Sequence, residues 1–245
     1  MGVNFFSKQQ DIQLGQEASQ EVRKQYPLYH NDWVQQYVKR VGERLAATGP
    51  ARESGFPFTF TVLENKQVNA FALPGGPMYI FTGLLRNVDN EAQLAAVMAH
   101  EMSHVILRHG THEASKAKMI ELPAILASEA LGNRSLLTRL TEMGANSFIL
   151  KFSRDSESDA DALGAHLMAD AGYDPIEMAR FFRKLQSIGG QGNSRLAQFL
   201  SDHPNPGNRE RAIEAEAETI PARRYGFETG GFARMRSDVA SLPHK

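Results

Sequence analysis

The stretch VMAHEMSHVILRHG, residues 97–110, contains three of the eight histidines in the 245-residue chain. His100 and His104 are four residues apart, and Glu101 directly follows the first of them. On an α-helix, side chains at this spacing lie on one face about one turn apart, so both imidazoles can reach a single ion. The apolar neighbours of these residues predict a largely buried helix. Buried imidazole and carboxylate groups need partners, so this helix face is predicted to hold a ligand.

The order His100-Glu101-x-x-His104 is the H-E-x-x-H arrangement, in which two histidines bind zinc and the glutamate is a general base. Imidazole and carboxylate ligands suit zinc. The chain has no cysteine, which excludes thiolate ligands, disulfides and a cysteine nucleophile. We therefore expect one Zn²⁺ per chain. The alternative, a solvated helix face that carries two histidines by chance, is disfavoured by the apolar surroundings.

A catalytic zinc needs a third protein ligand and leaves a fourth position for water. The longer motif H-E-x-x-H-x-x-G-x-x-H is absent, because Leu107 and Gly110 stand where it requires glycine and histidine. His109 and His112 are out of register with that motif. The better candidates are the acids of FSRDSESDADALGAHLM, residues 152–168, which is predicted to be helical.

Glu157 and Asp161 continue the small and apolar stripe of this second helix, whereas Asp155 and Asp159 face outward on an ideal helix. The outward acids fit an ordinary acidic helix start, which the helix macrodipole favours. Acids on a stripe that should face the core need another explanation. We predict that Glu157 is the third ligand. Asp161 is then placed to accept the outer N–H of a ligating histidine and fix its tautomer.

The order of predicted elements favours an α+β fold, one mostly helical domain with a small sheet near its N-terminal half. FPFTFTVLE, residues 56–64, alternates like a strand, and Pro-Gly-Gly divides VNAFALPGGPMYIFTGLL, residues 68–85, into two short extended pieces. Helices are expected at 8–26, 31–48, from Asp89 or Asn90 to about His109, 153–171, from Asp174 onward, and 208–219. We expect a single domain over 1–245, with N-terminal helices in 1–50, a catalytic core in 55–220 and an irregular C-terminal tail in 221–245.

Five stretches, taken together, resemble the M48 family of zinc metallopeptidases, a group of gluzincins. They are NFFSKQQDIQLG (4–15), VNAFALPGG (68–76), AHEMSHVILRHG (99–110), FSRDSESDADALG (152–164) and HPNPGNR (203–209). The resemblance implies a mostly helical zincin-like domain with its small sheet beside the active-site helix. It also implies a zinc endopeptidase with His100, His104 and Glu157 as ligands and Glu101 as base. Glu101 would take a proton from water and pass it to the leaving amine.

The resemblance also places His203 near the cleft, with Arg209 anchoring its loop or helping as a donor. In SDHPNPGNR, residues 201–209, the prolines stiffen the backbone around His203. Its imidazole can either stabilise the oxyanion of the reaction or bind zinc as a fourth ligand and displace water. A surface loop histidine is the remaining alternative. Asn69, Ala70 and Phe71 are predicted to form an edge strand that pairs with the peptide substrate, although an ordinary core strand has the same pattern.

Charge and hydropathy limit the partners. The formal net charge of −1 gives no electrostatic case for nucleic acid or an anionic membrane. No run reaches the roughly 18 apolar residues of a transmembrane helix, and the N-terminus lacks the apolar core of a signal peptide. The resemblance implies an exported, periplasmic protein, with membrane association through a removed N-terminal segment as a further option. It also implies polypeptide substrates, namely misfolded or unassembled envelope proteins.

Three further questions stay open on the sequence. One rival function is a zinc-bound, non-proteolytic chaperone or binding module on a peptidase fold, and another is a metal-dependent hydrolase of a different bond. Retention of Glu101 argues against the first, because a structural zinc site does not need that carboxylate. Residues 111–150 are weakly patterned, so they form either an ordinary helical hairpin or a lid over the cleft.

Overall fold

The computed structural model of the chain describes residues 4–116, 152–189, 203, 208–221 and 223–241. The helices are α1 (Lys8–Gln25), α2 (Asp32–Ala46), α3 (Gly49–Ser54), α4 (Thr82–Asn87), α5 (Glu91–Ile106), α6 (Arg154–Asp170), α7 (Ile176–Gly189), α8 (Arg209–Thr219) and α9 (Phe232–Ala240), and the strands are β1 (Thr59–Leu63), β2 (Ala70–Ala72) and β3 (Pro77–Phe81). The fold is mostly helical with a small mixed sheet, which confirms the predicted α+β class.

Polar caps set the start of the helices that carry the site. The Asn90 side chain accepts a hydrogen bond from the backbone N–H of Gln93 at the start of α5, and Ser153 accepts one from Ser156 at the start of α6. Each cap satisfies a backbone donor that lacks a partner within its helix. Asn31 caps α2 in the same way. These starts agree with the sequence prediction to within one residue.

The sheet has the order β1-β3-β2, with β1 parallel and β2 antiparallel to β3. The predicted Pro-Gly-Gly break is confirmed as the turn between β2 and β3, where Gly75 and Gly76 have φ angles of 79° and 120°. A side chain at Gly75 would also collide with the backbone of Ile12 in α1, at 2.4 Å. Because β3 lies between the other two strands, β2 forms one edge of the described sheet. β2 also lies against α5.

Two expectations about local structure were wrong. The extended piece after the turn ends at Phe81, and Thr82–Asn87 form the helix α4 instead. At Gly83 a Cβ would lie 2.2 Å from the carbonyl oxygen of Gln67, and the Thr82 hydroxyl donates to the carbonyl of Asn65. The chain is thus held against a neighbouring loop, where a continuing strand does not fit.

The second correction concerns the tail at 221–245, which was expected to be irregular. Residues 223–229 have no helix or strand, but Phe232–Ala240 form the helix α9. Met235 and Val239, one helical turn apart, are fully buried in the main hydrophobic core. Arg86 fixes the end of this helix by donating to the carbonyl of Val239 at 2.8 Å. Burial of this apolar face stabilises α9, although the surrounding sequence is rich in Gly, Arg and Ser.

The segment expected to form a lid or hairpin is described only at its start. Residues 109–116 are helical, and residues 117–151 lie outside the described part of the chain. Within the described residues, no helix is long and apolar enough to cross a membrane.

Candidate active site

Four residues that could each donate a ligand atom to a metal ion converge at one buried point. His100 and His104 come from α5, Glu157 from α6, and His203 from the segment before α8. His100 Nε2 lies 3.0 Å from His104 Nε2 and 3.2 Å from His203 Nδ1. The Glu157 carboxylate oxygens lie 3.4 Å from each of His100 Nε2 and His104 Nε2, and 3.0 Å from His203 Nδ1. None of these side chains is more than 4% exposed.

This spacing fits a tetrahedral zinc site. Bonds of about 2.0–2.1 Å to nitrogen and oxygen place the ligand atoms of a tetrahedron about 3.3–3.4 Å apart. The distances between the donor atoms fall at or slightly below that value. Three imidazoles and one carboxylate are also ligands that zinc accepts readily. The residues present therefore fit the metal that the sequence implied.

α5 and α6 approach closely enough to share these ligands because Gly164, at their contact, has no side chain. A Cβ at this position would lie 3.3 Å from the backbone nitrogen of His100 and 2.9 Å from the terminal methyl of Met178. The stripe that includes Gly164 therefore faces α5. As predicted from the sequence, this stripe is buried, and it carries Glu157 and Asp161 into the site.

Asp161 contacts the outer nitrogen of His100. Its Oδ1 lies 2.9 Å from His100 Nδ1, and Arg209 donates to both of its oxygens, from Nε at 2.5 Å and from Nη2 at 2.7 Å. Burial alone would raise the pKa of this carboxyl, but the Arg209 guanidinium and the hydrogen bond to His100 lower it below its ordinary value. Arg209 Nη1 also lies 2.9 Å from Glu157, so one buried guanidinium joins two acids of the site.

The surroundings of Glu101 and Glu157 shift the pKa values of their carboxyl groups in opposite directions. Burial raises the pKa of Glu101 above its ordinary value, with the imidazoles of His203 and His100 opposing it. Burial also acts to raise the pKa of Glu157, but the imidazoles of His203, His100 and His104 outweigh it and lower that pKa well below its usual range. Groups whose environments separate their pKa values in this way suit different roles. Glu157 stays ionised, whereas Glu101 is the more basic carboxylate.

Glu101 connects the donor cluster to the sheet. Its Oε1 lies 3.2 Å from His203 Nε2, and the backbone N–H of Ala72 in β2 donates to its carboxylate. The residues predicted to bind substrate, Asn69, Ala70 and Phe71, are at most 4% exposed. Phe71 packs on Tyr79 with ring centroids 5.3 Å apart. A substrate beside β2 would therefore meet its backbone rather than these side chains.

His104 has a contact that the sequence did not predict. Its outer nitrogen, Nδ1, lies 2.8 Å from Nδ1 of His109, which is 7% exposed. Burial lowers the pKa of His109 to about 4. Between them Arg108 adopts a left-handed φ of 58°, a conformation that non-glycine residues rarely adopt. The sequence showed His109 only as a residue out of register with a longer zinc motif, so its proximity to His104 depends on this turn.

Comparison with known proteins agrees with this geometry. Residues 32–217 match the model of Peptidase family M48. The beta-barrel assembly-enhancing protease of Yersinia pestis is 32% identical over 236 residues, which cover 93% of this chain and 48% of that protein. The protein of the same name in Escherichia coli K12 is 31% identical over 254 residues, 94% of this chain and 51% of its own length.

A mitochondrial relative has a similar sequence identity to this chain. The mitochondrial metalloendopeptidase OMA1 of Schizosaccharomyces pombe is 32% identical over 222 residues, 88% of this chain and 63% of that protein. The chain thus spans about half the length of the first two relatives. The matched region includes α5, α6 and His203, and hence every donor of the buried cluster. As the sequence resemblance predicted, the chain belongs to peptidase family M48.

Proposed function

We propose that this chain is a zinc-dependent metalloendopeptidase that cleaves extended or unfolded polypeptides. The observation that supports this most directly is the buried convergence of His100, His104 and Glu157 next to the carboxylate of Glu101. A site that only held zinc for stability would have no need for a basic, buried carboxylate beside its ligands. Family membership supports the same activity.

Glu101 is the proposed general base. Zinc bound to the three ligands would supply Lewis acidity, which polarises a carbonyl and lowers the pKa of water to about 7. Glu101 Oε1 lies on the side of the cluster that His203 occupies, within 3.2 Å of His203 Nε2. It is therefore placed to take a proton from water at the fourth position and to pass it to the leaving amine.

His203 is proposed to be an inhibitory fourth ligand. Its Nδ1 lies 3.2 Å from His100 Nε2 and 3.0 Å from Glu157, slightly below the separation of about 3.3–3.4 Å between the ligand atoms of a tetrahedral zinc. In this position it occupies the place that water needs, so this geometry supports a closed resting state over the oxyanion-donor role. Arg209 is bound to Asp161 and Glu157, which supports an anchoring role for it.

The proposed substrates are polypeptides that add a strand beside β2. Backbone pairing with an edge strand accepts many sequences, because the hydrogen bonds do not involve side chains. Two relatives are named beta-barrel assembly-enhancing proteases, which supports misfolded or unassembled envelope proteins as substrates and a periplasmic location. The mitochondrial relative shows that membership in this family does not fix the compartment.

The decisive experiment combines metal analysis with digestion of unfolded casein. The wild type, Glu101→Gln and the exposed control Glu43→Gln are compared, each also in a His203→Ala background so that a closed resting state is not mistaken for inactivity. We expect about one zinc per chain in all variants, with cleavage abolished only by Glu101→Gln, because an amide cannot accept the proton. Unchanged cleavage by Glu101→Gln contradicts the mechanism. Zinc binding without any chelator-sensitive cleavage, even with His203 removed, favours the non-proteolytic binding module.

A further inference from the structure

We propose that His109 is a positioning residue for His104, whose Nδ1–H it accepts, so that Nε2 of His104 is held toward the metal. This inference rests on the proposed function, because it takes His104 as a zinc ligand. The sequence motif assigns no role to His109, which lies beyond the H-E-x-x-H segment.

The direction of the hydrogen bond follows from the two ends of the His104 ring. Nε2 faces the donor cluster, 3.0 Å from His100 Nε2 and 3.4 Å from Glu157. A ring nitrogen that binds metal carries no proton, so the proton of the neutral ring lies on Nδ1. The two Nδ1 atoms of His104 and His109 are 2.8 Å apart. His104 therefore donates and His109 accepts, which leaves the proton of His109 on its own Nε2.

The aromatic ring that stacks on His104 cannot fix the ring orientation in the same way. Phe152 stacks on His104 with centroids 4.0 Å apart and planes 16° apart. Such stacking fixes the plane of the imidazole. It is nearly indifferent to a half-turn of the ring, which would exchange Nε2 for a carbon atom at the metal. Only a polar partner distinguishes the two orientations, and His109 provides one.

His109 is itself held in place by the N-terminal segment. After α5 the left-handed turn at Arg108 directs the chain so that His109 returns toward His104. Arg108 donates to both oxygens of Asp11, at 2.6 and 3.1 Å, and to the carbonyl of Phe6 at 2.5 Å. Asp11 is buried, whereas the Arg108 side chain is 28% exposed, so the ion pair is shielded from solvent on the Asp11 side. These contacts, about 100 positions away in sequence, stabilise a turn that would otherwise be unfavourable.

The two histidines of the motif thus have different outer partners. His100 contacts the carboxylate of Asp161, whereas His104 contacts an imidazole. Outer partners of metal-ligating histidines fix the ring orientation, and their loss typically weakens metal binding roughly 10–100-fold. We expect His109 to contribute an effect of this size.

The test compares His109→Asn with His109→Leu, because these two side chains have nearly the same shape and Asn Oδ1 takes the position of His Nδ1. Zinc affinity is measured by competition with a chelator, and the visible spectrum of the cobalt-substituted protein reports ligand geometry. We expect His109→Leu to bind zinc roughly 10–100-fold more weakly than the wild type and His109→Asn to recover most of that loss. The matched control is His112→Leu, three residues further along the same helical segment, which is expected to bind like the wild type.

The outcomes separate this inference from the proposed function. Zinc binding by His109→Leu as tight as that of the wild type, or by His109→Asn as weak as that of His109→Leu, overturns the positioning role. A wild type that binds no zinc contradicts the proposed function itself. Circular dichroism of the metal-free proteins checks folding. If His109→Leu does not fold, His109→Phe, which keeps an aromatic ring without an acceptor, takes its place in the comparison.

Discussion

We expect Gly164→Ala to destabilise the protein, although alanine is the better helix former. The added Cβ would lie 2.9 Å from the terminal methyl of Met178 and 3.3 Å from the backbone nitrogen of His100. Carbon atoms in favourable contact are about 3.5–4.0 Å apart, so the methyl group of Met178 must move by most of an ångström. Met178 is fully buried, and this movement takes place inside a packed core.

The expected change in the free energy of unfolding is the difference between a gain in the helix and a cost in the core. Replacing glycine within a helix gains about 0.5–1 kcal/mol, whereas overpacking a core costs about 1–3 kcal/mol. The free energy of unfolding should therefore fall by about 0–2.5 kcal/mol, with a central value of about 1 kcal/mol. Because the backbone of His100 lies against the same position, zinc binding should also weaken.

Urea denaturation of the metal-free protein and chelator competition measure the two effects. Met178→Leu shortens the side chain that collides, at a cost of less than about 1.5 kcal/mol. In that background Gly164→Ala should be neutral or stabilising, so the two changes should not be additive. An increase in stability of about 1 kcal/mol from Gly164→Ala alone, with unchanged zinc affinity, would refute the argument from close helix packing.

Four other changes test separate parts of the structure. Glu157→Ala should lose most of the bound zinc by metal analysis, and full retention would remove it from the ligand set. Asp161→Ala should weaken zinc binding roughly 10–100-fold in chelator competition, while unchanged affinity would leave it with no role at His100. His203→Ala should raise basal casein cleavage and self-cleavage; a loss of kcat of roughly 10²–10³ with zinc retained would instead identify an oxyanion donor. Glu91→Gln should lower the free energy of unfolding in urea by about 1–3 kcal/mol, because the buried carboxylate accepts from Tyr37, Tyr173 and both the backbone N–H and the hydroxyl of Thr229. Wild-type stability there would show that the amide satisfies the same donors.

Periodicity and capping predicted much of the fold before any tertiary information. The cap of α5 at Asn90, the hairpin at Pro-Gly-Gly and the stripe on α6 all follow from geometry within a few residues. The short helices α3 and α4 and the terminal helix α9 were missed. α4 and α9 are stabilised by contacts with distant parts of the chain, and local sequence patterns do not record such contacts.

The sequence by itself determined that His100 and His104 share one helix face, because a spacing of four residues allows little else, and that Glu157 lies on the inward stripe of its helix. The family resemblance left three places open for His203, and only the tertiary structure decided that this residue, 103 positions from His100, lies among these donors. The same holds for His109, five residues from His104, because its place depends on a turn that Asp11 stabilises across 97 positions. Helical spacing follows from bonds within a few residues. A strained turn, or a donor outside the regular helices, has a defined position only once distant segments pack against it, and that packing is absent from the local sequence pattern.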